Sequence, residues 1–268
     1  MQKIAVLGCG WLGIPLAQMC LSRDYDLVGS TTTATKTVLL AQLGITPFLI
    51  TVSEQGIAGD IDAFLENTTV LVIDIPPKLR GENRENFVQK IKNLVPEIQK
   101  SKVPKVLFVS STSVFADNNQ VVDQDEVPNP DAEAGKQLWE TEKILQQNTN
   151  FQTTIVRFGG LVGPDRHPAK MLAGKTNVSN PTAPINLIHQ QDCVSIILQI
   201  IETNSWGMVF NAVAPHHPSR EQYYIAKTKT LGLLAPTFDY SAPSVGKTVL
   251  SDKLQTDLKY KFLVVGNL

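Results

Sequence analysis

Two stretches of this chain carry residue types at spacings that could do chemistry. The first is Gly8-Cys9-Gly10-Trp11-Leu12-Gly13, a G-x-G-x-x-G string. Glycines at these intervals let a backbone turn tightly, admit a diphosphate against bare main chain, and pack a helix closely on a strand. Gly8 suits the first role, Gly10 the second and Gly13 the third. The string follows the apolar run Lys3–Leu7 and opens a helical pattern. Trp11 and Leu12 therefore stand at a helix amino terminus, whose dipole favours phosphate. A dinucleotide is the expected ligand; the bland alternative is a tight turn in a buried α/β unit.

The second stretch is Ser110-Ser111-Thr112-Ser113, where a buried strand spills into hydroxyls. Ligands of parallel sheets bind outside the carboxyl ends of the strands. Hydroxyls there can orient a carbonyl or a hydroxyl. Ser111 and Ser113 are the catalytic candidates. Ser110, with Pro76 at the end of another strand, is counted on the cofactor side. The alternative is a cluster that caps its own loop.

NAD-binding turns usually end the second strand on a carboxylate that holds the ribose hydroxyls. No acidic residue lies between Asp26 and Glu54 here. The second strand runs instead into Thr31, Thr32 and, further on, Lys36. Hydroxyls and a lysine suit a 2′-phosphate, so NADP is preferred, with NAD as the alternative.

These groups need a scaffold. Strand patterns at Lys3–Leu7, Asp26–Ser30, Pro47–Thr51, Thr69–Ile75, Lys105–Ser110 and Thr153–Phe158 alternate with helical patterns at 11–22, 35–43, 82–100 and 131–148. A kink is expected near Pro96. The succession implies a doubly wound parallel α/β sheet, a Rossmann domain spanning residues 1–160. Residues 161–268 read as a small α+β lobe on its carboxyl edge. That lobe has a helix at 190–203, a strand at 208–212, a helix at 219–231, and strand-like pieces near Val249 and at Phe262–Val265.

Composition bounds the rest. The chain has 268 residues, 43% of them hydrophobic, which excludes a disordered polymer. Its 24 basic and 25 acidic residues leave a net charge of −1, so no basic field recommends nucleic acid. No apolar run is long enough to span a bilayer. Cys9, Cys20 and Cys193 are too few for a disulfide framework or a metal knuckle, and no metal site is expected. A cytoplasmic protein with a small-molecule substrate is the expectation.

In its overall layout the chain resembles the short-chain dehydrogenase/reductase superfamily, in the extended or atypical branch with nucleotide-sugar epimerases and dehydratases. Ser110–Phe115 resembles that family's Ser-Ser-x-x-Val-Tyr segment, which implies a catalytic role for Ser111. The run from Arg157 through Gly160 to Pro164 resembles its Arg-Pro-x-x-Ile-Tyr-Gly-Pro stretch. Ile185–Asp192, with His189, resembles its Asn-x-Ile-His-x-x-Asp segment, and Phe210-Asn211 its later Tyr-Asn strand. Arg157, Gly160 and His189 are thereby the substrate-side candidates, although Arg157 equally suits a loop-holding role and His189 a structural one. The resemblance leaves room for a homodimer.

One departure matters. The family's Tyr-x-x-x-Lys pair would fall on Ala134 and Leu138. The tyrosines are Tyr25, Tyr223, Tyr224, Tyr240 and Tyr260, so residues 26–222 contain none. Tyr223-Tyr224-Ile225-Ala226-Lys227 matches the string but lies outside the Rossmann core, and reads as ordinary helix. Two function classes stay open: a reductase or epimerase/dehydratase-like enzyme with an altered acid/base, and a non-catalytic NADP-binding sensor.

Overall fold

The computed structural model describes residues 2–77 and 85–265. Seven strands form one sheet: β1 (Lys3–Leu7), β2 (Asp26–Thr31), β3 (Thr46–Leu49), β4 (Val70–Ile73), β5 (Lys105–Ser111), β6 (Gln152–Phe158) and β7 (Val209–Ala212). Their order is β7-β6-β5-β4-β1-β2-β3, and every neighbouring pair is parallel. The order reverses between β1 and β4, which opens a crevice at their carboxyl ends.

The strands are apolar on both faces because helices cover both. Ile4 and Val6 of β1 and Val70 and Val72 of β4 enter one core, beside α1 (Gly13–Leu21) and, later in the chain, Gln190–Glu202. Ala5, Leu7, Leu71 and Ile73 enter the other. Between them in sequence come α2 (Ala34–Gln42), α3 (Ile61–Leu65), α4 (Phe87–Ser101) and α5 (Glu133–Gln146). Asn86 caps α4 by accepting from the Gln89 amide at 3.0 Å. The helix passes through Pro96 without interruption. Its expected start at Glu82 falls outside the described residues. A hairpin of Thr51–Ser53 with Gly56–Ala58, and α3, were not expected; both are too short to show a period.

Residues beyond 160 add α6 (Ala169–Leu172), α7 (Gln190–Glu202), α8 (Arg220–Thr230) and α9 (Asp252–Thr256). The division expected at residue 160 does not separate two cores. Strand β7 closes the edge of the main sheet against β6, and α7 packs beside α1. The polypeptide leaves the sheet, builds a lobe around Val162, Leu187, Ala214 and Tyr223, and returns. The piece at Phe262–Val265 is not a strand. It is held by buried Asp192, which accepts from the Leu263 amide at 2.7 Å, the Val264 amide at 3.2 Å and the Tyr260 hydroxyl at 2.7 Å.

One buried polar network ties α5 to the sheet. Arg157 of β6 donates from Nη2 to Glu142 of α5 at 2.8 Å and from Nε at 3.1 Å. Ser110 of β5 donates to the other Glu142 oxygen at 2.5 Å. The Glu142 and Arg157 side chains are 0% and 3% exposed, and the guanidinium lies 5.1 Å over the Phe115 ring. Removing one partner of such a pair leaves an uncompensated charge. Arg157→Met is therefore expected to cost about 3–5 kcal/mol, and Arg157→Met with Glu142→Leu clearly less. Urea denaturation of both variants checks this; equal losses would show that the charge pairing is not what matters.

Candidate functional site

The glycine turn fills the mouth of the crevice. Gly8 has φ +112°, and a Cβ there would lie 2.3 Å from the Asp74 carbonyl oxygen, so no side chain fits. A Cβ on Gly13 would lie 2.2 Å from the Gly8 carbonyl oxygen, which is how closely α1 sits on the turn. Gly10 is different: a Cβ there would meet nothing within 4 Å. The Gly8 amide donates to Ser30 Oγ at 3.0 Å and the Cys9 amide to the Ser30 carbonyl at 2.7 Å. Among the described residues the amides of Trp11 and Leu12 take no backbone acceptor, and no side chain caps α1. Open space beside Gly10 and two free amides at a helix start fit a diphosphate.

Asp74 is the residue that sequence reasoning missed. It follows β4 directly, its carboxyl lies against the Gly13 amide, and burial pushes it up to about 8, with the amide opposing. The groups facing it are neutral: burial holds the Cys9 thiol at about 12 and raises Cys193 as well. The available signal was position, since Asp74 ends the strand that borders the glycine turn.

The residues expected to face a ribose lie on β2 and α2. Thr31 is buried and its Oγ1 accepts from the Thr33 amide at 3.2 Å, which shapes the turn. Thr32 and Lys36 are exposed, and Lys36 forms no ion pair among the described residues. Pro76 is exposed at the end of β4.

The serine cluster divides. Ser111 and Ser113 are half-buried at the carboxyl end of β5, and Ser111 Oγ accepts from the Ser113 amide at 3.2 Å. Ser110 was expected on the cofactor side, but alternation turns it beneath the sheet, where it is 5% exposed and bonded to Glu142. Arg157, aligned with Ser110 across β5 and β6, faces the same way. Its charge is paired with Glu142, while its Nη1 is buried without a hydrogen-bond partner among the described residues. His189 is the N-cap of α7, its Nδ1 accepting from the Gln191 amide at 3.2 Å. Gly160 is exposed and pairs with Leu187. Ala134 is half-buried in the first turn of α5, whereas Leu138 lies in the core. Next to Ala134, Gly135 packs so closely that a Cβ would lie 2.2 Å from the Ser113 carbonyl oxygen.

The lobe is latched onto the turn through Trp11. Its Nε1 donates to Asp165 at 2.7 Å, Arg166 lies 5.2 Å over its ring, and Gln190 donates to its carbonyl at 2.7 Å. The Trp11 side chain is thus a joint between lobe and turn. Among the described residues no group of His, Cys, Asp or Glu could hold a metal, and no helix is long and apolar enough to cross a membrane.

A parallel sheet in this order, with a glycine turn at the β1–β4 crevice, defines a doubly wound, Rossmann-type α/β fold. Solved structures of that kind superpose over nearly the whole chain. UDP-glucose 4-epimerase from Thermotoga maritima, solved with UDP-glucose, matches with TM-score 0.81 at 16% identity, over 98% of this chain and 94% of that one. A short-chain dehydrogenase/reductase superfamily protein from Agrobacterium tumefaciens, solved with bound NAD, gives 0.79 at 14% identity, over 98% and 93%. A functionally unknown conserved protein from Silicibacter pomeroyi gives 0.80 at 19%, over 98% and 94%. No family model matches the chain. Protein YeeZ of Escherichia coli K12 is 32% identical over 265 residues, 98% of this chain and 96% of its own length. The chain belongs to the YeeZ family.

Asp74 makes a pH prediction. Its folded value lies above the ordinary carboxylate value of 3.8, so the folded state prefers the neutral form. Stability from this group is full in acid and falls as pH rises towards 8, by at most about 1.4 kcal/mol per pH unit. Asp74→Asn is expected to flatten that decline in urea denaturation between pH 5 and 9. An unchanged slope would remove Asp74 as its source.

Proposed function

We propose that the chain binds a nicotinamide dinucleotide, NADP in preference to NAD, across the β1–β4 crevice and acts as a reductase or epimerase-like enzyme on a small polar substrate. The observation that carries the proposal is the open flank of Gly10 beside the free amides of Trp11 and Leu12. Those two amides would hold the diphosphate. Neutral Asp74 would add no repulsion there and could donate a hydrogen bond. Thr32 and Lys36 would take the 2′-phosphate, with no carboxylate to oppose it. The dinucleotide supplies hydride exchange when bound. Ser111, on the strand next to β4, would orient the substrate oxygen, with Ser113 beside it.

A second reading, a non-catalytic dinucleotide sensor, is favoured by one specific observation. The chain has Ala134 and Leu138 where the resemblance would place tyrosine and lysine, and it carries no tyrosine at residues 26–222. In this reading the same crevice binds the dinucleotide and reports its presence through the Trp11 joint.

Three measurements test these readings. Gly10→Ala is expected to leave the melting temperature unchanged, because its Cβ meets nothing, while weakening NADPH binding at least about tenfold. Titration of the unaltered protein is expected to favour NADPH over NADH; NADH binding tighter by tenfold would reverse the cofactor preference. A panel of small carbonyl compounds followed by NADPH absorbance should show turnover that drops about 10²-fold in Ser111→Ala. Saturable NADPH binding with no turnover would select the sensor.

A further inference from the structure

A cavity of about 160 Å³ lies in the lobe, between the segment Ile185–Leu187 and α8. Its walls are of two kinds. Ile185, Leu187, Pro218 and Ala226 are apolar, and the polar ones are His216, Gln222 and the pair Tyr223 and Lys227. Tyr223 and Lys227 are four residues apart on α8, so they share a helix face.

Both polar groups lack the partners that groups in their positions normally have. Tyr223 is 5% exposed, and its hydroxyl is buried with no hydrogen-bond partner. A buried hydroxyl left unsatisfied in this way is costly and points to a missing ligand. Lys227 is half-buried and forms no ion pair or hydrogen bond among the described residues. Burial lowers it from its ordinary value, as expected of an ammonium with no carboxylate beside it. Glu221, the acid on the same helix, is committed to the Tyr240 hydroxyl. Gln222 spends its Oε1 on the Ser219 amide, 3.1 Å away.

The cavity is joined to the glycine turn by three consecutive residues. Asp165 and Arg166 contact Trp11, and the next residue, His167, lays its ring parallel to that of Tyr223 at 6.2 Å and 8°. A ligand seated here would therefore lie one loop away from the crevice.

We propose that this cavity is a carboxylate site, with Lys227 and Tyr223 holding the two oxygens of a short organic acid whose apolar body lies against Ile185, Leu187, Pro218 and Ala226. One ammonium and one phenol match the two oxygens and single charge of a carboxylate. A phosphate would want more donors, such as a nest of backbone amides, and the cavity walls are mostly apolar. The volume is below the 300–1,000 Å³ or so of pockets that enclose larger ligands, so the acid is small or is the terminal group of a longer molecule. The carboxylate site stands on the cavity alone. That its occupant is the substrate of the crevice rests on the enzyme reading given above.

The test uses the full chain and pairs of isosteric probes: butyrate against butyramide, and benzoate against benzamide, with inorganic phosphate as a third arm. Binding is read by chemical-shift titration and by melting temperature. Each acid is expected to bind at least tenfold tighter than its amide. Lys227→Met should abolish that difference and Tyr223→Phe should reduce it severalfold, with NADPH affinity unchanged within twofold in both. If a variant does not fold, the acid–amide comparison on the unaltered protein still decides. Acids that bind no better than amides, preference retained in Lys227→Met, or phosphate binding tighter than either acid would each overturn the proposal. Acid binding in a protein that binds no NADPH would overturn the enzyme reading and leave the carboxylate site standing.

Discussion

The contact on which the molecule turns is the backbone approach between Gly8, Gly13 and the residue that ends β4. Gly8 presses on the Asp74 carbonyl and Gly13 presses on the Gly8 carbonyl, each so closely that a methyl group would clash. That double contact brings the start of α1 down onto the crevice and aims its amides outward. It also explains the other features crowded there. Gly29 has no room for a Cβ, which would lie 2.5 Å from Cys9 Sγ, and Cys9 is sealed in as an inert thiol. A carboxyl placed beneath such a turn is pushed towards its neutral form by burial, as Asp74 is. The tightness that seats the start of α1 on the turn is therefore the same tightness that buries Asp74 and raises its carboxyl to about 8.

The glycine turn was legible because its signal is local. Its three roles follow from spacing after a strand, and the distances at Gly8, Gly10 and Gly13 have the same logic. The central sheet was legible for a related reason: runs such as Val70–Ile73 are apolar at every position, which only a strand covered on both faces requires. What spacing could not show was direction. Ser110 and Arg157 look like ligand contacts when read as residues near strand ends. They lie in register with one another, in line with Phe108 and Ile155 two residues earlier, and those two belong to the core beneath α5. The period of two along a strand makes their burial a consequence of that core. The partner, Glu142, comes from another element, and no local pattern announces it.

The lobe was harder to place, for reasons of contact order. Its strand β7 is only Val209–Ala212, and its pairing partner β6 lies some fifty residues earlier. Short strands of this kind carry little pattern, and composition after Arg157 shifts towards glycine, proline and asparagine. That shift marks a change of texture, not of domain. The chain uses loop-rich sequence to build outward, then spends Asp192, Tyr260 and the Leu263 and Val264 amides on fastening its tail back. The lobe thus has a small apolar cluster of its own and is latched to the turn through Trp11.

Tyr223 and Lys227 show how a motif can mislead by position and still carry physics. A spacing of four in a helix sets two side chains side by side, whatever surrounds them. In the Rossmann core of the superfamily this chain resembles, that spacing pairs a phenol with an ammonium next to the cofactor; here the equivalent helix offers Ala134 and Leu138. On α8 the same spacing again sets a phenol beside an ammonium, now against a small, mostly apolar cavity, with neither group satisfied by the protein. A phenol that burial raises above its ordinary range stays protonated and donates. The ammonium beside it is lowered from its ordinary value by burial and has no carboxylate partner among the described residues. Together they form a donor pair that demands an acceptor bearing one negative charge. On α8 the pair lies in the lobe, outside the seven-stranded sheet, where it offers two donors to one acceptor.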